Sequence, residues 1–262
     1  MKRVITALIL APLFIALIWY GSFRIFASFI VMVSAICFFE YAQMAAVKGI
    51  EVFRLQGLIL VLILPLSFIG SLEPVFAVTS LAVISIFVSA LADPEKGVER
   101  LAYTMLGVFY IGICLAAPIL IRDLADGHKL ILLACCGVWG ADIGAYYVGR
   151  AIGKNKLAPK ISPGKTIEGA IGGVALSIAS CFLFAQFFFQ EADTATVIAS
   201  GLIGGVVGPA GDLSESMLKR FFGVKDSGTI LPGHGGLLDR IDALMFAMPV
   251  FYVFIELKGF SF

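Results

Sequence analysis

The sequence predicts an all-α, polytopic integral membrane protein with about nine transmembrane helices and a cytoplasmic N-terminus. Three observations predict it. Hydrophobic residues make up 60% of the 262 and charged ones 14%, against about 25% charged in soluble domains. The mean hydropathy is +1.01. Apolar runs near the length a bilayer crossing needs, about 20 residues, recur along the whole chain. The net charge of +1 supplies no field that would recruit nucleic acid.

The first run, 4–20, follows Lys2 and Arg3. A signal peptide has the same charge layout, but this run is long and ends in Trp19-Tyr20, which suits an interfacial belt in a retained helix. The other expected spans are 22–44, 56–70, 72–92, 102–121, 129–148, 167–190, 195–219 and 241–257. The 56–70 run is short and crosses only with tilt or local thinning. Pro12, Pro65 and Pro118 lie inside spans, as membrane helices tolerate. With the N-terminus inside, all of the 19 Lys and Arg except Arg24, Arg122, Lys129 and Lys258 fall on the cytoplasmic side. The reverse orientation inverts that bias.

The chain divides into two regions. Residues 1–128 read as about five plain apolar helices with short loops. Residues 129–262 read as the catalytic region, with about four helices and two long polar cytoplasmic loops. Gly140–Gly144, Gly169–Gly173, Gly201–Gly205 and Gly204–Gly208 are spaced four apart, which lets helix backbones approach closely. The sixth, seventh and eighth spans are therefore expected to form one tight bundle. No internal repeat supports a transporter built from inverted halves. Cys37, Cys114, Cys135, Cys136 and Cys181 all sit in apolar runs without metal-site spacing and read as buried, inert thiols.

Ionisable residues inside spans are costly and mark candidate sites. The expected topology brings Asp142, Asp212, Asp239 and Asp242, from three helices, to one depth near the cytoplasmic face. Clustered carboxylates repel unless cations neutralise them, and hard oxygen ligands suit magnesium together with substrate phosphates. Asp239 and Asp242, three apart at a helix start, can face one point. Lys165, Lys219, Arg220, Lys225 and Arg240 lie in or beside the two polar loops as candidate phosphate clamps. Ile161-Ser162-Pro163-Gly164-Lys165-Thr166 resembles the end of a P-loop, but Pro159 stands where its first glycine belongs. Ser162 as a helix N-cap, with Lys165 in the first turn, is the expected anion site there. In Leu231-Pro232-Gly233-His234-Gly235-Gly236, three glycines expose backbone N–H groups around His234, a candidate phosphate donor or proton shuttle.

Together these residues resemble a known signature. Ser216-x-x-Lys219-Arg220, then Lys225-Asp226-x-Gly228, Leu231-Pro232-x-His234-Gly235-Gly236 and Asp239-Arg240-x-Asp242 look like that of phosphatidate cytidylyltransferases, or CDP-diacylglycerol synthases. Asp142-Ile143-Gly144-Ala145-Tyr146 and Ser162-Pro163-x-Lys165-Thr166-x-Glu168-Gly169 resemble further elements of that family, with Ile143 and Gly164 as departures. The resemblance covers about 135–245. It implies a cytidylyl transfer from CTP to phosphatidic acid, releasing pyrophosphate, in phospholipid biosynthesis. It implies Mg2+, with a second, potassium-like cation beside it, and a homodimer in the bacterial-type inner (cytoplasmic) membrane. Metal would fall to Asp142, Asp212, Asp239 and Asp242. Asp212, Ser216, Lys219, Asp239 and Asp242 would be catalytic, and Lys165, Arg220, Lys225, His234 and Arg240 would bind substrate. Two other readings are a CTP-dependent polyprenol or phytol kinase, which would make CDP, and an ion-coupled transporter, which would carry acids near midplane.

Overall fold

The computed structural model describes residues 2–67, 72–230 and 235–259, apart from the side chains of 2–10 and 72–75. Its order is α1 (Lys2–Tyr20), α2 (Phe23–Val47), α3 (Arg54–Ile63), α4 (Leu72–Ala90), α5 (Pro94–Val108), α6 (Cys114–Asp123), α7 (Gly127–Ile152), β1 (Lys156–Ala158), β2 (Ser162–Thr166), α8 (Ile167–Phe188), α9 (Thr194–Phe222) and α10 (Leu238–Gly259). Every expected span contains a helix. The all-helical membrane architecture therefore holds, with one small addition: β1 and β2 pair antiparallel as a hairpin.

Among the described residues, five helical runs are long and apolar enough to cross a membrane: Phe23–Val47, Pro94–Asp123, Gly127–Ile152, Ile167–Phe188 and Thr194–Phe222. Ala11–Tyr20, Arg54–Leu66 and Phe76–Ala90 are shorter apolar helices. The expected 102–121 span lies inside the longer 94–123 run, because Asp93 caps it early by accepting from Lys96 N, with Pro94 at the first position. A π-helical turn, Phe109–Ile113, interrupts that run. Helix α3 has 10 residues, about 15 Å of rise, and continues only through a 3-10 turn at Leu64–Leu66. The last four residues of the expected 56–70 span include 68–70, which lie outside the described residues.

The chain forms two compact units. The first comprises 1–120 and 221–239. Its core holds Phe26, Phe38, Tyr41, Met44, Leu60 and Phe222, all buried. Tyr41 donates its hydroxyl to Tyr103 O at 2.9 Å and meets the Phe222 ring edge-on at 5.7 Å. Phe53 N donates to Thr104 Oγ1 at 2.9 Å, which ties the start of α3 to α5.

The second unit comprises 121–220 and 240–262. Here the glycine spacing does what it predicts. A Cβ on Gly144 of α7 would lie 2.5 Å from Gly172 O of α8, and one on Gly204 of α9 would lie 2.6 Å from Gly137 C of α7. Only hydrogen fits between these backbones. Ser177 Oγ lies 2.7 Å from both Gly137 O and Gly201 O, so one buried hydroxyl joins all three helices. At the other end of this unit, Asp193 caps α9 by accepting from Thr196 N at 3.1 Å. The Lys258 ammonium bonded to Asp193 holds its carboxyl well below the usual range. The five cysteines are free, and Cys37, Cys135 and Cys181 are buried.

Gly144→Ala is expected to lower stability by roughly 1–3 kcal/mol through overpacking. Gly164→Ala, where an added Cβ meets nothing within 4 Å, is expected to change it by less than about 0.5 kcal/mol. Thermal unfolding of both variants in detergent checks this; equal melting temperatures would refute the close-packed bundle.

Candidate active site

The polar residues of the second unit gather where α7 ends, α8 begins, α9 ends and α10 begins. Asp142 projects from α7, Lys165 from β2, Asp212, Glu215, Ser216 and Lys219 from α9, and Asp242 from near the start of α10. Backbone packing sets α9 and α10 side by side: a Cβ on Gly211 would lie 2.5 Å from Asp242 O. Asp212 therefore sits within electrostatic range of Asp242, and of Asp142 as well.

Two lysines lie among these acids. Lys165 Nζ is 2.7 Å from Asp212 Oδ2, with both side chains partly exposed. Lys219 pairs with Glu215, whose side chain is fully buried. Ser216 Oγ donates to Asp212 Oδ1 at 3.4 Å. Thus Lys165 and Lys219, expected to hold phosphate, and Ser216, expected among the catalytic residues, engage acids in this structure. Arg220 and Arg240 are exposed at the same end of the unit.

The expected anion site at Ser162 is corrected. Ser162–Thr166 is strand β2, so Lys165 precedes the helix instead of lying in its first turn. Thr166 is the N-cap, accepting from Gly169 N at 3.1 Å. The helix starts later because Glu168 is drawn back across the hairpin base. It accepts from Lys154 N at 3.1 Å and from Asn155 Nδ2 at 2.7 Å. Both bonds anchor the hairpin that delivers Lys165 to Asp212.

The first unit holds the remaining signature residues. Asp239 Oδ2 accepts from Ser227 N at 3.0 Å and from Gly236 N at 2.9 Å. Gly235 has φ +84, and a Cβ there would lie 2.9 Å from Asp239 Oδ2. Both facts require glycine. Lys225 and Asp226 are exposed. His234 lies outside the described residues, with Leu231, Pro232 and Gly233. Sequence reasoning missed Glu40. It sits inside α2, is 0% exposed, and accepts from Leu237 N and Leu238 N at 2.9 Å each. Its signal was present: it is the only Asp, Glu, Lys or Arg between Arg24 and Lys48, which by itself marks a site candidate.

Asp239 and Asp242 remain three apart on one helix, the first assigned to one unit and the second to the other. Among the described residues, no three His, Cys, Asp or Glu side chains are drawn together as a ready metal shell. The donor set nevertheless fits a hard divalent cation in kind. Asp142, Asp212 and Asp242 are carboxylates whose mutual repulsion two lysines only partly relieve.

Apolar helices, acids at the helix ends and lysines set among them define a polytopic helical membrane protein with a charged polar centre. Comparison with known proteins makes this specific. The sequence model of the cytidylyltransferase family matches residues 1–258. The phosphatidate cytidylyltransferase of Bacillus subtilis is 34% identical, covering 98% of this chain and 97% of its own length. That of Brucella suis is 35% identical over 96% and 92%, and that of Staphylococcus epidermidis 34% over 97% and 98%. The chain belongs to the cytidylyltransferase family.

Removing Lys219 as Lys219→Met leaves Glu215 buried without its lysine. The expected cost is about 3–5 kcal/mol, read as a lower melting temperature. Adding Glu215→Gln is expected to restore part of it; no recovery would show that the pair is not what holds this end of α9.

Proposed function

We propose that this protein transfers the cytidylyl group of CTP to phosphatidic acid, giving CDP-diacylglycerol and pyrophosphate. The observation that carries the reading is the full-length match to the cytidylyltransferase family and to relatives named phosphatidate cytidylyltransferase. The mixture of acids and lysines in the second unit supports it chemically.

The nucleophile is the lipid phosphomonoester. Its second pKa is about 6, so at neutral pH it is largely dianionic and needs no protein base. An oxygen of this phosphate attacks the α-phosphorus of CTP. The new P–O bond forms as the bond to the β-phosphate breaks, and the electron pair leaves with pyrophosphate. The barrier is electrostatic, because a dianion approaches a tetra-anionic nucleotide. Lys165, Lys219, Arg220, Lys225 and Arg240 hold phosphate oxygens, with Arg able to do so bidentately. His234 donates to a phosphate in this reading. For Lys165, phosphate replaces Asp212 as partner, while Lys219 holds phosphate and keeps Glu215. Asp142, Asp212, Asp239 and Asp242 would hold Mg2+, and a potassium-like cation is part of the same reading. Such a cation, when bound, neutralises the reacting phosphates and the departing pyrophosphate. The freed Asp212 then keeps Ser216 oriented.

The same reading places nine crossings in a bacterial-type cytoplasmic membrane, with the N-terminus and the charged loops inside. The Lys and Arg distribution supports this orientation. A homodimer is supported by the family resemblance. CTP then arrives from the cytosol and the lipid from the leaflet. Ile143, Tyr146 and Tyr147, exposed on α7 beside Asp142, offer an apolar path for acyl chains.

With CTP labelled at the α-phosphate, label is expected in lipid only when phosphatidic acid and magnesium are both present. Loss of an outer partner of a metal ligand costs 10–100-fold, so Asp242→Asn is expected to cost at least about 100-fold in activity. CDP formed from a polyprenol, with no lipid label, would replace the reading with a kinase. Orientation is checked separately. Glu191→Cys is expected to react with an impermeant maleimide on intact spheroplasts, and Lys156→Cys only after lysis; the reverse pattern overturns it.

A further inference from the structure

Glu40 is a fully buried acid that the proposed chemistry does not use. It belongs to a network of two carboxylates around one helix start. Glu40 Oε1 accepts from Leu237 N at 2.9 Å. Its Oε2 accepts from Leu238 N at 2.9 Å and from Ser227 Oγ at 3.2 Å. Ser227 in turn donates its main-chain N–H to Asp239 Oδ2 at 3.0 Å. Asp239 N points back at Ser227 Oγ at 3.4 Å, and Gly236 N also donates to Asp239 Oδ2 at 2.9 Å. One serine thus bridges the two acids.

A plain cap does not account for this arrangement. Helix starts are ordinarily capped from within a few residues by Ser, Thr, Asp or Asn. Here the acceptor comes from a residue 197 positions earlier, inside an apolar helix where an ionisable group is costly. The surroundings are also shaped around it: a Cβ on Gly228 would meet Glu40 Oε1, and one on Gly236 would meet Ser227 Oγ and Glu40 Oε2. Glycines at both positions let two carboxylates share one short segment. The positive end of α10 favours negative charge at this point, and the four main-chain N–H groups of 227, 236, 237 and 238 are divided evenly between the two acids.

We propose that Glu40 is a positioning residue for the transfer reaction: it holds the first turn of α10 and, through Ser227, fixes the carboxylate of Asp239. This rests on the cytidylyl-transfer reading. Glu40 itself touches no substrate. It presents the signature segment at the angle from which Asp239 works. Outer partners that orient a functional carboxylate typically contribute 10–100-fold to affinity or activity.

The test uses full-length protein in detergent, as wild type, Glu40→Gln and Ser227→Ala. Glu40→Gln replaces one accepting oxygen by an NH2 that faces an N–H donor. It is expected to lower kcat about 10- to 100-fold with KM for CTP changed less than about threefold, in protein that still melts cooperatively. Hydrogen–deuterium exchange is expected to quicken at Leu237 and Leu238, and also at Ser227 and Gly236, whose N–H groups bond Asp239 and not Glu40. Exchange quickened at 237 and 238 alone, or kcat within twofold of wild type, would reduce Glu40 to a cap and overturn the proposal. Should Glu40→Gln fail to fold, Ser227→Ala decides: it keeps both main-chain bonds to Glu40 and removes only the bridge, so an unchanged kcat overturns the proposal. Wild type that labels no lipid would sink the cytidylyl reading instead, while exchange at 227 and 236 would still report whether Glu40 governs Asp239.

Discussion

Desolvation of charge is the constraint on which the polar part of this molecule is built. An acid placed within an apolar helix must find donors or cations, because lipid offers neither. Each unit meets this requirement in its own way. In the first, Glu40 and Asp239 take main-chain N–H groups at a helix start. In the second, Lys165 and Lys219 sit on Asp212 and Glu215. Hydrogen bonds from backbone fix a carboxylate in direction. A lysine on a flexible stem neutralises it but can also leave. The first arrangement suits a fixed group, and the second suits a centre where arriving phosphates compete for the cations.

Close helix packing is what makes the second arrangement possible. Asp142 and Asp212 come within electrostatic range because α7, α8 and α9 approach at glycine contacts. Larger residues at 144 or 204 would separate the helices and the acids with them. The same small residues serve packing and chemistry, which is why glycines and in-span acids crowd the same stretch of sequence.

That coupling also explains what could be read in advance. Helices, their order and the tight bundle were legible, because apolar run length and four-residue glycine spacing act locally along the chain. Asp142, Asp212 and Asp242 were legible as in-span acids, and Asp239 as an acid at the start of the last span. Their pairings were not. Lys165 meets Asp212 only because a hairpin turns the chain back, and that hairpin depends on Glu168 reaching Asn155, a bond between side chain and loop that no periodicity reports. Glu40 was overlooked for a related reason. One acid in a long apolar run looks like an exception, and its donors lie 197 and 198 residues away.

The chemistry proposed for this fold asks little of it in the way of bases and much in the way of placed charge. A phosphate nucleophile brings its own electron pairs, so Ser-His-Asp geometry would add nothing. What limits such a reaction is bringing anions together, and that requires positive charge held ready without collapsing permanently onto the protein's own acids. A fully buried salt bridge such as Lys219 with Glu215 is weak as a stabilising device, since desolvation offsets most of its attraction. The partly exposed pair of Lys165 and Asp212 is weaker still. The Lys165–Asp212 pair, which gains little by staying closed, is easily exchanged for phosphate and metal, whereas Lys219 stays on the buried Glu215 and takes phosphate with its remaining donors. Low net worth in the resting protein is, by this argument, the property that lets the same residues bind strongly once the substrates arrive.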